Sequence, residues 1–245
     1  MTVRHLICGI LALACFSALS VSAGPAVKIS DPEFDFGKAP QHAELSHTYV
    51  IKSVGDDTLR ITKIVPGCGC TKAPVEDSVL APGDSTLLTI KFDSGRFRGA
   101  TTKRPYIETN AGPDKYYMKF YANLITDTKA DMPLQISPLP IDVSQFSATP
   151  RRSSSFLIEN RGGQDLNITL VDGNNKSFKI DLPGKVKAGE SVEGKIEVKE
   201  DMLSKEFGES FTIQIDNPEK QRYSIPVKRM VRIKSGDAAS ASSSR

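Results

Sequence analysis

The residues of this sequence whose types and spacing could do chemistry are two cysteines, Cys68 and Cys70. They stand one glycine apart in PGCGCTKAP, Pro66 to Pro74. Three readings compete for them. The first is a disulfide: side chains at i and i+2 share one side of an extended segment, with Cα atoms near the upper limit for a bridge, so closure needs a bend at Gly69. A bridge around so short a loop removes little unfolded-chain entropy, about 1 to 2 kcal/mol. Thiol exchange would further want a lowered thiol pKa from a helix N-terminus or a cation, and Lys72 is the only charge close by in sequence. The second reading is metal. Two thiolates at this spacing suit a soft ion such as Cu(I), whereas a closed zinc site takes four ligands. Beyond its first 23 residues the chain adds only His42, His47 and the scattered Met118, Met132, Met202 and Met230. His42 and His47 themselves read as exposed loop or strand residues. The third reading is a strand-ending turn, bent by Pro66 and Gly67, whose thiols are packed or bridged without a task.

One other stretch carries charge worth weighing. SGRFRGATTKRPY places Arg96, Arg98, Lys103 and Arg104 around Phe97 and Tyr106. Arginine combines bidentate pairing with stacking, so this could be a patch for an anionic partner such as a cell-surface polymer. Strand alternation would instead send neighbouring charges to opposite faces, leaving a solvated hairpin with its aromatics turned inward. No GxSxG or HExxH is present, and Asp56 and Asp57 in SVGDDTL read as turn residues. The chain is therefore expected not to be an enzyme and to need no cofactor.

The compartment follows from the first residues. MTVRH, the apolar run LICGILALACFSALS and small residues at Val21 to Ala23 form the three-part pattern of a signal peptide over residues 1–23, too short for a good membrane span. Cys8 and Cys15 leave with that leader, so the mature chain keeps only Cys68 and Cys70. The expected location is exported, periplasmic or extracellular, with no membrane span after cleavage. The 32 basic and 29 acidic residues give a net charge of +3, or +2 once Arg4 is lost, which supplies no basic face for nucleic acid.

Two modules must position these residues, because the chain repeats itself. Shifted by 107 residues, TYVIKSVGDDTLRITKI from Thr48 faces SFLIENRGGQDLNITLV from Ser155, pairing Tyr49 with Phe156, Ile51 with Ile158, Leu59 with Leu166 and Ile61 with Ile168. At a shift of 106, LAPGDSTLLTIKF from Leu80 answers VKAGESVEGKIEV from Val186. Such a repeated order of strand and turn marks a duplicated unit. Each half is a series of short runs with period-two alternation between Gly, Pro, Asn and Asp turns, which predicts an all-β protein of two tandem immunoglobulin-like antiparallel β-sandwiches. The expected boundaries are 27–126 and 134–234, with a linker at 127–133 and a disordered tail at 235–245. KEDMLSKEFG, Lys199 to Gly208, is the one stretch with helical character. Under the repeat Cys68 falls on Asn175 and Cys70 on Ser177, so the fold is written once without the thiols.

FDFGKAPQ, a strand ending in VG followed by LRI, PGCGCT, LAPGDS, IKFDSGRFRG and IETN together resemble the domain of unknown function 1573 family of bacterial secreted proteins. That family is similar to the immunoglobulin-like domains of the ASPM, SPD-2 and Hydin group and to the major sperm protein domain. The resemblance covers Ile29 to Thr126 and implies a fold and an exported location, with no established activity. The expected function is thus non-catalytic recognition of a protein or cell-envelope component through strand edges or loops. Thiol-redox or copper handling by Cys68 and Cys70 is the competing expectation.

Overall fold

The computed structural model describes residues 24–126, 133–173 and 176–232. The expected leader at 1–23, nearly all of the expected linker at 127–133 and the expected tail at 235–245 lie outside the described residues.

The first half folds as strands Val27–Ser30 (β1), Glu33–Pro40 (β2), Glu44–Ser53 (β3), Leu59–Val65 (β4), Thr71–Lys72 (β5), Val79–Leu80 (β6), Ser85–Asp93 (β7), Gly99–Lys103 (β8), Tyr106–Thr109 (β9), Lys115–Tyr117 (β10) and Lys119–Ile125 (β11). The second half supplies Leu134–Ser137 (β12), Ile141–Asp142 (β13), Ser153–Asn160 (β14), Leu166–Asp172 (β15), Phe178–Asp181 (β16), Lys185–Val186 (β17), Ser191–Val198 (β18), Phe207–Ile215 (β19) and Arg222–Arg229 (β20). The Lys199 to Gly208 stretch holds a single 3-10 turn, Glu200–Met202, and the protein is otherwise all β among the described residues.

Alternation explains the cores. Leu45, Tyr49 and Ile51 of β3 face Leu88, Ile90 and Phe92 of β7 in the first sandwich, all buried. Phe156 and Ile158 of β14 with Ile196 and Val198 of β18 do the same in the second. Each core is its own cluster, so the chain is two tandem immunoglobulin-like sandwiches. The repeat seen in the sequence holds in register: Val65 ends β4 opposite Tyr106, and Asp172 ends β15 opposite Thr212.

In each sandwich the opening strand divides its service between two sheets. β1 pairs antiparallel with β3 over Val50 to Ser53, then β2 crosses to run parallel with β11. β12 and β13 repeat this with β14 and β20. The two sandwiches do not hang separately from a linker. β2 also meets β20, Lys38 opposite Tyr223, so one sheet in the order β17-β15-β19-β20-β2-β11-β8 runs through both. Ser224 Oγ donates to Phe36 O at 2.7 Å across this join. Gly37 makes the approach feasible: its φ is +63°, and a Cβ there would lie 2.2 Å from Arg222 O. Left-handed backbone and a backbone clash both select glycine at this point. Gly37→Ala should therefore cost about 1 to 3 kcal/mol in urea unfolding and loosen the join between the sandwiches. An unchanged midpoint would contradict this placement.

Candidate functional site

Pro66 stops β4, Gly67 takes φ +88°, and residues 68–71 close a turn in which Thr71 N donates to Cys68 O at 3.3 Å. That supplies the bend which the i, i+2 spacing demanded. Cys68 and Cys70 are joined as a disulfide with Cα atoms 5.2 Å apart, inside the bridging range. Cys70 is tethered by Asp93 N donating to its carbonyl at 2.9 Å, and it packs on the first core. Cys68 sits in the half-exposed turn. Buried Thr71 puts its hydroxyl 3.2 Å from Cys68 Sγ and 3.8 Å from Cys70 Sγ. Lys72, the next residue of the strand, is exposed. In the second sandwich the equivalent chain enters β16, and Ser177 spends its hydroxyl on Glu209 Oε1 at 2.8 Å.

Neither His42 nor His47 comes into a ligand group with the thiols. Among the described residues no three His, Cys, Asp or Glu side chains cluster as a metal site, so a soft ion would have the two thiolates alone, after reduction. His42 is exposed and in the left-handed region at φ 54°. His47 corrects the expectation of an exposed residue. It stacks on Phe34 at 3.7 Å between ring centroids and bonds Asp172 Oδ2 through Nδ1 at 2.6 Å, with its side chain 14% exposed. Its position was legible in β3, where Leu45, His47, Tyr49 and Ile51 share the inward face. Burial, together with the Asp172 charge, pushes the Tyr49 phenol beside it well above the ordinary range.

The contact between sandwiches is made from leftover strand edge. β1 covers only Val50 to Ser53 of β3, so Glu44 to Thr48 have no partner on that side within their own sandwich. β15 ends opposite Thr212, so Phe207 to Phe211 of β19 likewise run on uncovered. These two edges meet. Ser46 N donates to Ser210 Oγ and Ser210 N to Ser46 Oγ, both at 2.8 Å, and Lys91 Nζ donates to Gly208 O at 3.2 Å. Beside them opens a cleft of about 280 Å³ lined by Ser46, Thr48, Lys91, Lys176, Ser177 and Glu209. Two of its three lysines are matched by acids, Lys91 to Glu44 at 3.4 Å and Lys176 to Glu76, and the third is Lys205.

The basic stretch is spread along β8. Arg96 and Arg98 lie in the exposed turn before the strand, and Lys103 and Arg104 at its far end. Lys103 Nζ sits 4.4 Å from the ring of Phe97, which is 39% exposed, so that aromatic is not turned wholly inward. Arg98 lines a hollow with Lys38 and Asn123, whereas Arg104 lines another with Glu33 and Tyr117. The four cations are thus distributed along a strand and are not gathered in one pocket.

Residues 27–124 match a family described as "Protein of unknown function (DUF1573)". A search of the curated proteins finds no match. Among solved structures, a protein of unknown function from Porphyromonas gingivalis W83 is 14% identical, covering 83% of this chain and 98% of its own at a TM-score of 0.35. PapD-like domain 7 of human CEP192 is 11% identical, covering 52% and 98% at 0.34. The YadV chaperone is 11% identical, covering 82% and 98% at 0.31. None of these likenesses is close enough to carry an activity to this chain.

The disulfide spans one residue and the second sandwich folds without it. Cys68→Ser/Cys70→Ser should lower unfolding free energy by no more than about 2 kcal/mol, read from urea titration, with the circular dichroism of the fold retained. Loss of the folded state would contradict the separation of thiols from architecture.

Proposed function

We propose, from the membership of residues 27–124 in the DUF1573 family, that this chain is an exported, non-catalytic recognition protein whose two sandwiches work as one docked body. The observation that carries this reading is the contact between the edges of β3 and β19. There the fold already recognises an immunoglobulin-like partner by capturing unpaired main-chain groups through Ser46, Ser210 and Lys91. Open strand edge is the common currency by which sheets bind other chains. Among the described residues no helix is long and apolar enough to cross a membrane. The partner is a protein or envelope component outside the cytoplasm.

A second reading is favoured by the Thr71 hydroxyl beside both sulfurs. A partner thiolate attacking Cys70 Sγ would break the 68–70 bond, form a mixed disulfide at Cys70 and release Cys68 as a thiolate. Thr71 Oγ1, 3.2 Å from Cys68 Sγ, would donate a hydrogen bond to that leaving group. Reduction of the pair would likewise be the first step towards holding Cu(I).

Affinity capture with the mature chain from its own envelope fraction separates the readings. Recognition predicts that Cys68→Ser/Cys70→Ser retains the same partner in the same yield as the parent. Capture lost by the double variant at an unchanged melting temperature would overturn it in favour of thiol chemistry, which Thr71→Val should then slow.

A further inference from the structure

The two sandwiches differ in what becomes of one half-strand. Met118 N donates to Pro105 O at 2.9 Å, and the register Lys103 to Phe120, Thr101 to Ala122 and Gly99 to Leu124 continues from that pair without a shift. In an antiparallel ladder hydrogen-bonded pairs alternate with unbonded ones. Residues 99, 101, 103 and 105 therefore bond towards β11. Ala100, Thr102 and Arg104 turn their N–H and C=O groups the other way.

On that other side β4 would be the partner, but it ends at Val65 opposite Tyr106, and Pro66 to Cys70 bend off. A Cβ on Gly67 would come within 3.4 Å of Arg104 O, which places the disulfide turn at the mouth of the vacancy. The equivalent residues of the second sandwich, offset by 106, are Gly208 and Ser210. Their outward groups are taken up by Lys91 and Ser46 of the first sandwich. The same groups on Ala100, Thr102 and Arg104 have no protein partner among the described residues. All three residues are exposed.

The charges identify what fits. Arg96 and Arg98 stand before the open edge and Arg104 at its far end, with the Lys103 ammonium reaching back along the strand over Phe97, and none of the four is paired with a carboxylate among the described residues. A second copy adding β8 to β8 about a two-fold axis would set the basic ends against one another, which strand pairing penalises. Repeating the β3–β19 contact between copies fails for another reason: Thr102 and Arg104 stand where the second sandwich has the small Gly208 and Ser210.

We infer that the outer edge of β8 is a docking site for an extended peptide strand with carboxylates towards both ends, which continues the line of β4 and ends against the Cys68–Cys70 turn. This deepens the recognition reading and rests on it. Main-chain bonds at Ala100, Thr102 and Arg104 hold the strand, and the four cations select its charge.

The test uses the mature chain and the capped peptide Glu-Glu-Val-Thr-Val-Thr-Glu-Glu, with a lysine-for-glutamate version as control. Amide shifts on titration should centre on Ala100, Thr102 and Arg104, and the lysine peptide should not bind. Thr102→Pro removes an outward N–H without breaking the β11 ladder, so it should weaken binding about tenfold or more at an unchanged melting temperature. Arg98→Glu/Lys103→Glu gives a second variant that leaves the backbone alone and should also lose the peptide. Shifts elsewhere, equal binding of the lysine peptide, no binding, or concentration-dependent shifts of β8 without peptide would each overturn the site. Envelope-partner capture that survives Thr102→Pro would overturn it while leaving recognition itself standing.

Discussion

The architecture depends on one constraint: a buried main-chain N–H or C=O must find a partner. Because β1 and β2 divide between two sheets, β3 is left with half an edge unpaired. Because β15 stops at Asp172, β19 is left with another. Bringing the two halves together satisfies both through reciprocal bonds between Ser46 and Ser210. The rest of the joint is consistent with that contact. Gly37 lets β2 close on β20, and the His47–Asp172 bond seals the flank against the aromatic face of Phe34.

The same constraint gives the open edge of β8 its meaning. Duplication wrote the geometry twice, and the chain satisfied it once internally. What was left over is flanked by cations with no ion pair among the described residues and adjoins a half-exposed disulfide, so the residues that could do chemistry and the residues that could bind lie on one rim. The Cys68–Cys70 turn is best understood by that position. It terminates the strand line which a bound peptide would extend, and its thiols contribute little to folding because the sister sandwich has none.

Much of the fold was legible in the sequence, because period-two alternation and the 107-residue offset are local patterns. Cys68 to Asn175 and Val65 to Asp172 are read by simple shift, and the bend at Gly69 follows from bond geometry. The joint was not legible, since Ser46 and Ser210 are 164 residues apart and neither belongs to any motif. His47 is an intermediate case. Its place in the apolar register of β3 announced burial, but Asp172 as its partner required the joint to be known. The basic stretch was seen as a candidate patch or a solvated hairpin. Its real arrangement, arginines before and after an edge that is unpaired among the described residues and the Lys103 ammonium over Phe97, depends on where β4 stops relative to β8, which only the register reveals.

Native-state hydrogen exchange on residues 24–245 without added peptide tests the central claim most directly. The amides of Ser46 and Ser210 should exchange together, slowly, at the rate at which the sandwiches part. Those of Ala100, Thr102 and Arg104 should exchange at nearly unprotected rates. Equal protection of Ser210 and Thr102, or fast exchange at both serines, would contradict the account.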